Sequence, residues 1–181
     1  MMNILYAAAQ GIGILAVVLQ LLLMHGKNMR GILHRKLCMD IAWAAHFLIL
    51  GAYTGFLANV LCLMRELVFL KSKADRNSTV GKMQLLLFVL LNWVAAALTW
   101  RGVYSLIPAA ATSIATYSYW QKNVTVTRVI GMVCNILMFT YDVFVLSYAG
   151  MLGETLSFLS IALALFLGRK STKQPQDAKN S

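Results

Sequence analysis

The stretch Ala52-Tyr53-Thr54-Gly55-Phe56-Leu57-Ala58-Asn59-Val60-Leu61 has a counterpart 95 positions later, Ser147-Tyr148-Ala149-Gly150-Met151-Leu152-Gly153-Glu154-Thr155-Leu156. Tyr, Gly and two Leu coincide in register. In a chain rich in Leu and Ala the Leu matches are nearly expected, so the Tyr and Gly carry the signal of an internal repeat. Both copies lie where one long apolar run gives way to the next with no charged residue between them.

Composition names the solvent. Of 181 residues, 60% are apolar, 12% are charged and two are proline, which would leave a soluble fold with more apolar surface than it could cover. A bilayer core of about 30 Å is crossed by roughly 20 helical residues at about 1.5 Å each, and the helix satisfies its own backbone donors and acceptors. Seven runs approach that length, at about Asn3–Met24, Leu37–Leu50, Gly55–Leu70, Met83–Trp100, Tyr104–Trp120, Val129–Leu146 and Met151–Gly168. The second is shortest. Its helix either extends back through Gly31-Ile32-Leu33 or lies buried among neighbours that tolerate a thin span.

Lys and Arg cluster in cytoplasmic loops, which orients the chain. Loop one holds Lys27, Arg30, Arg35 and Lys36, loop three Lys71, Lys73, Arg76 and Lys82, loop five Lys122 and Arg128, and the tail Arg169, Lys170, Lys173 and Lys179. That is fourteen of sixteen basic residues on one side; Arg101 stands alone in the alternate loops and Arg65 lies inside the third run. The expected topology is N-terminus outside and C-terminus cytoplasmic. The net charge of +10 is then explained by topology and by anionic lipid headgroups, the expected partners, with no nucleic acid required. Residues 1–24 lack a basic leader ahead of the apolar run and read as a retained first helix. Cys38, Cys62 and Cys134 lack metal spacing and read as small packing residues. His25 and His34 are weak metal candidates, and no cofactor is called for.

Repeat and topology together give the fold class: an all-α membrane protein of seven transmembrane helices, two parallel three-helix repeats joined by a linker helix (3+1+3). Three crossings invert a unit, so one more is needed before the second copy starts on the same side. The expected organisation is a first repeat at 1–70, a basic loop and linker helix at 71–103, a second repeat at 104–168 and a disordered cytoplasmic tail at 169–181.

Polar residues at membrane depth are costly and usually face a cavity or the bundle interior. Gln10, His46, Asn59, Asp142 and Glu154 each lie roughly four to eight residues from the outer end of a helix, a depth of some 6 to 12 Å. Facing inward, they would line an outward-opening pocket for a polar metabolite or cation, with the histidine and carboxylates able to carry a coupling proton. The competing reading makes Gln10 and Asn59 interhelical glue, with Glu154 snorkelling to headgroups or pairing with Arg101. Near the inner end, Arg65 with Glu66 and Asp40 is a candidate cytoplasmic gate or ion pair. A long side chain so close to the interface usually snorkels, adjacent helix residues do not face each other, and Asp40 has Lys36 at the i,i+4 spacing. Gly11, Gly13 and Pro108 are candidate hinges, Gly13 and Pro108 being 95 positions apart. Trp100 and Trp120 read as interfacial anchors; Trp43 and Trp93 line a path or pack.

Gln10-Gly11-Ile12-Gly13, the run His46-Phe47-Leu48-Ile49-Leu50-Gly51-Ala52-Tyr53, Arg65 twelve residues after Tyr53, and Pro108 opening the fifth helix together resemble the YgjV-type bacterial inner-membrane proteins, over nearly the whole chain except its tail. The resemblance implies residence in the bacterial cytoplasmic membrane, and a helix arrangement similar to the SWEET and PQ-loop transporters, hence small-solute transport. The first helix bears Gly where SWEET-like chains bear a hinge proline, so their substrate residues do not carry over.

The leading function is a transporter or facilitator of a small polar solute, working by alternating access between two parallel repeats. The alternative is a non-transporting membrane subunit or sensor whose polar residues pack helices. An enzyme is disfavoured, because no spacing matches a nucleophile with its base or a metal site. The nearly loop-free apolar exterior permits a homo-oligomer.

Overall fold

The structure, a computed structural model, describes residues 2–23, 29–71, 78–121 and 123–177, with side chains described within 4–22, 31–71, 78–121 and 123–164. Seven α-helices follow one another: α1 Met2–Leu23, α2 Met29–Ile49, α3 Tyr53–Lys71, α4 Thr79–Leu98, α5 Leu106–Trp120, α6 Val124–Phe144 and α7 Tyr148–Asp177, with a 3₁₀ turn Val103–Ser105 before α5. Each expected run finds its helix. The second indeed extends back, starting at Met29 and passing through Gly31-Ile32-Leu33. α7 continues to Asp177, into the tail expected to be disordered. His25, Lys27, Lys73, Arg76, Lys122 and Lys179 lie outside the described residues.

Helix ends are set by local chemistry. Ser78 caps α4 by accepting from Gly81 N at 3.1 Å, and Asn123 caps α6 by accepting from Thr125 N and Val126 N. At the end of α2, Gly51 N donates to Leu48 O and Ala52 N to Phe47 O, while at the end of α6 Leu146 N donates to Val143 O and Ser147 N to Asp142 O. These are the two bonds of a Schellman motif, which needs a left-handed residue just past the helix. Gly51 takes that conformation at φ 70° and Leu146 at φ 55°. Every bond of the first turn thus recurs 95 positions on, and so does the left-handed residue.

The helices form a ring. α1 packs on α2, α2 on α3, α3 on α5, α5 on α6, α6 on α7 and α7 back on α1, while α4 lies against α3 and α5. Ile4 is 74% exposed and Leu98 79%, whereas His46 and Glu66 are fully buried and Asp40, Arg65 and Asp142 are each 1% exposed. Apolar outside and charged inside inverts the soluble pattern and suits a hydrocarbon solvent. α1, α3, α4 and α6 are long and apolar enough to cross a membrane by length and composition. Three of the seven expected spans fall short for separate reasons. α2 takes in Arg30, Arg35, Lys36 and Asp40, α5 has 15 residues, or about 22 Å, and the described apolar part of α7 is Tyr148–Ala164.

The two turns make opposite demands on their left-handed residue. Gly51→Ala is expected to destabilise the protein by about 1 kcal/mol through left-handed strain, and Leu146→Gly to stabilise it by up to about 1 kcal/mol. Thermal unfolding of purified protein in detergent reads both, and unchanged melting in Gly51→Ala would contradict the left-handed turn.

Candidate functional site

The ring encloses a cavity of about 160 Å³, room for a solute of several heavy atoms when a water occupies about 30 Å³. All six ring helices contribute. Along α6 the lining runs from Thr127 and Arg128 to Met138 and Asp142, a rise of about 22 Å. Three of the five expected pathway residues line it: Asn59, Asp142 and Glu154. The other two do something else.

Gln10 holds the α6–α7 turn, its Nε2 donating to Leu146 O at 3.3 Å and its Oε1 accepting from Ala149 N at 3.0 Å. His46 is clamped between helices: Nδ1 meets Ala9 O at 2.7 Å and Nε2 meets Ser147 Oγ at 2.8 Å. The Ala9 carbonyl only accepts, so Nδ1 carries a proton. Ser147 Oγ in turn accepts from Gly150 N at 3.1 Å. Gly13 is a point of close approach, since a Cβ there would strike Ala149 and the His46 ring. Gly11 has open space around it. Pro108 lies in the first turn of α5, where its missing N–H leaves no helical bond unmade, and Thr112 Oγ1 donates to its carbonyl.

At the Asp142 end, the carboxyl lies against Gly150 and the Ser147 hydroxyl, and a Cβ on Gly150 would collide with it. Asp142 Oδ1 has no hydrogen-bond partner. Deeper in the cavity, Glu154 Oε1 accepts from Gln20 Nε2 at 3.5 Å, and Gln20 Oε1 accepts from Trp43 Nε1 at 2.8 Å. With the Asn135 amide oriented to suit its surroundings, Nδ2 donates to Glu154 Oε2 at 2.9 Å and Oδ1 accepts from Phe158 N at 3.1 Å. Glu154 therefore points inward among amides, against the reading that it snorkels or pairs with Arg101. Asn59 Nδ2 donates to its own helix at Gly55 O.

Farther along, four charges cancel. Lys36 Nζ lies 2.7 Å from Asp40 Oδ1 and 3.4 Å from Glu66 Oε1, and Arg65 Nη2 lies 2.7 Å from Glu66 Oε1. Arg65 Nη1 donates to Thr116 Oγ1 at 2.8 Å, and its guanidinium sits 4.9 Å from the Tyr119 ring centre. Arg65 does not snorkel, and its doubted pairing with Glu66 exists. Both side chains are buried, and the two long neighbours curl together. Lys36, counted as a loop cation, is a buried residue of α2 that bridges two carboxylates.

Sequence reasoning missed Gln20, Lys36 and Asn135 as cavity residues. For Gln20 a signal existed: Ala9, Gly13, Ala16, Val17 and Gln20 fall on one helical stripe of small or polar residues, and all five are buried.

Removing one member of a buried ion network leaves an uncompensated charge, which costs about 3–5 kcal/mol. Glu66→Gln is therefore expected to lower stability by about 3 kcal/mol, and Arg65→Gln combined with Glu66→Gln by clearly less than the sum of the single changes. Strict additivity in detergent unfolding would contradict the Arg65–Glu66 contact.

No curated protein and no solved structure matches the chain. One family model does, described as bacterial inner membrane protein, and it covers residues 7–171. That stretch contains every helix but the first residues of α1 and the last of α7, along with the whole cavity. The apolar exterior agrees with the location the family description states. The chain belongs to the Imp-YgjV family of bacterial inner membrane proteins.

Proposed function

We propose that this inner-membrane protein transports or facilitates passage of a small polar solute by alternating access between two parallel three-helix repeats, α1–α3 and α5–α7, with α4 as linker. The observation that carries the reading is the cavity: both groups of helices contribute to it, and ionisable side chains line it. Such groups at membrane depth usually serve a pathway.

The repeat reading has two supports. Exchanging α1 with α5, α2 with α6 and α3 with α7 returns the same set of ring contacts. The turn bonds at Gly51 and Leu146 coincide at the same offset as the sequence match. In this reading all seven helices cross the bilayer, the shorter ones shielded by neighbours, with the N-terminus outside and the C-terminus cytoplasmic. The partners are lipids and the solute; no enzymatic step, cofactor or nucleic acid is involved. The neutralised Lys36–Asp40–Arg65–Glu66 network would serve as the cytoplasmic gate. That network equally favours a second reading, a non-transporting subunit or sensor in which buried charges fix helix positions.

Uptake into proteoliposomes across a panel of small polar metabolites tests transport, with Asp142→Asn and Glu154→Gln expected to lower uptake at least tenfold. If no solute moves, the subunit or sensor reading replaces it. Orientation is tested with a membrane-impermeant maleimide after replacement of Cys38, Cys62 and Cys134. Arg101→Cys should label in intact cells and Lys71→Cys only after permeabilisation; the reverse pattern would invert the topology.

A further inference from the structure

The cavity's charges are unevenly satisfied. Lys36, Asp40, Arg65 and Glu66 compensate one another. Asp142 and Glu154 do not: among the described residues, neither has a Lys, Arg or His within ion-pair distance. Glu154 is held by two amide donors, Gln20 and Asn135. Asp142 is 1% exposed, lines the cavity and keeps Oδ1 unpartnered. A buried carboxylate with no opposite charge beside it is a costly arrangement, and a cation arriving from the cavity would relieve it.

The walls decide what kind of cation. Hard metal ions want a cage of about six or more oxygens, and the described residues contain no group of three or more His, Cys, Asp or Glu able to hold a metal. The same cavity is lined by Trp43, Phe47, Met39 and Met138, with the Trp43 and Phe47 rings stacked at 5.8 Å between centroids. Aromatic faces attract organic cations, and thioether side chains adapt to short alkyl groups. An alkylammonium ion matches both halves of this surface. Its ammonium head answers the carboxylates, and its stem lies on the apolar walls of the cavity.

We propose that the Asp142–Glu154 end of the cavity binds a small organic monocation, a primary ammonium head on a short apolar stem. The proposal rests on reading the cavity as a solute site and narrows its substrate class. Asp142 supplies the free oxygen, Glu154 the second negative charge, and Gln20 and Asn135 keep Glu154 aimed inward.

The test uses the full-length protein in nanodiscs, titrated with n-butylammonium chloride and, as shape-matched controls, sodium butyrate and 1-butanol at equal ionic strength. Melting temperature and calorimetric heat are both read. Saturable stabilisation by butylammonium is expected, with neither control stabilising, and affinity at least tenfold weaker in Asp142→Asn and in Glu154→Gln. Equal protection by butanol, no saturable response to butylammonium, or unaltered affinity in both variants overturns the proposal. Should one variant fail to give a monodisperse peak, the other variant and the charge series on the unaltered protein still decide. Binding without uptake in proteoliposomes keeps the site and removes transport; uptake of neutral or anionic solutes with no butylammonium binding keeps transport and removes the cation site.

Discussion

Two helices, α3 and α7, begin with free N–H groups at the same end of the bundle, and the way those groups are satisfied ties the ring together. An α-helix leaves its first N–H groups without intrahelical partners. For α3, the Gly55 N–H donates to the Tyr141 hydroxyl at 3.0 Å, so α6 caps a helix 86 residues earlier in the chain. For α7, the Gly150 N–H donates to Ser147 Oγ, and His46 of α2 bonds that same hydroxyl. Residue 52, which would supply a cap for α3, is Ala; residue 147, its counterpart, is Ser. Where the local hydroxyl is missing, a tyrosine from across the ring provides one. Where it is present, a histidine from across the ring fixes it. Each group of three helices is thereby tied to the other at the same level. The approach is possible only because both capped residues are Gly, a Cβ at Gly55 meeting the Tyr141 and Phe47 rings and one at Gly150 meeting Asp142 and Ser147.

Away from these caps, the cavity's polar lining changes in character along its length. Burial of charge in a hydrocarbon solvent is tolerated when charges meet, and the Lys36–Asp40–Arg65–Glu66 group meets that condition from α2 and α3 alone, with Thr116 and Tyr119 of α5 completing the shell of Arg65. Once buried, such a group is costly to break by removing one member. The Asp142 end differs in kind. Its carboxylates face neutral amides, a hydroxyl and aromatic walls, so it is open to an added charge where the other end is already neutral.

The helices were legible because length, apolar runs and Gly punctuation are one-dimensional properties. The matching turns were legible because Tyr53 and Gly55 recur as Tyr148 and Gly150, whereas the left-handed residue itself changes from Gly51 to Leu146. What the sequence could not convey was rotation about each helix axis. α2 carries basic residues at both its outer and buried positions, so nothing distinguished buried Lys36 from exposed Arg35, and the count of loop cations absorbed both. Gln10 and Gln20 are the same residue type on the same helix, yet one caps a backbone turn and the other hydrogen-bonds Trp43 and Glu154. Arg65 and Glu66 were judged by the angle between adjacent side chains, a rule for exposed helix surfaces that burial overrides. Asp142 and Glu154 were legible as intramembrane carboxylates because their rarity alone marks them.

Positions 46 and 47 on α2 are His and Phe, and their counterparts 141 and 142 on α6 are Tyr and Asp. The backbone around them is the same, with equivalent turn bonds on both sides, so the difference is purely one of side chains. His46 and Tyr141 are each consumed by capping. Phe47 packs its ring against Gly55 and toward Trp43, while Asp142 presents a carboxylate against Gly150. The pair 47/142 thus puts an aromatic ring at one position of the cavity lining and a carboxylate at its counterpart. A cavity with matching walls would accept a solute in two orientations related by the pseudo-symmetry of the ring. In the transport reading proposed above, a lining with a ring at one position and a carboxylate at its counterpart favours one orientation of a polar-headed solute.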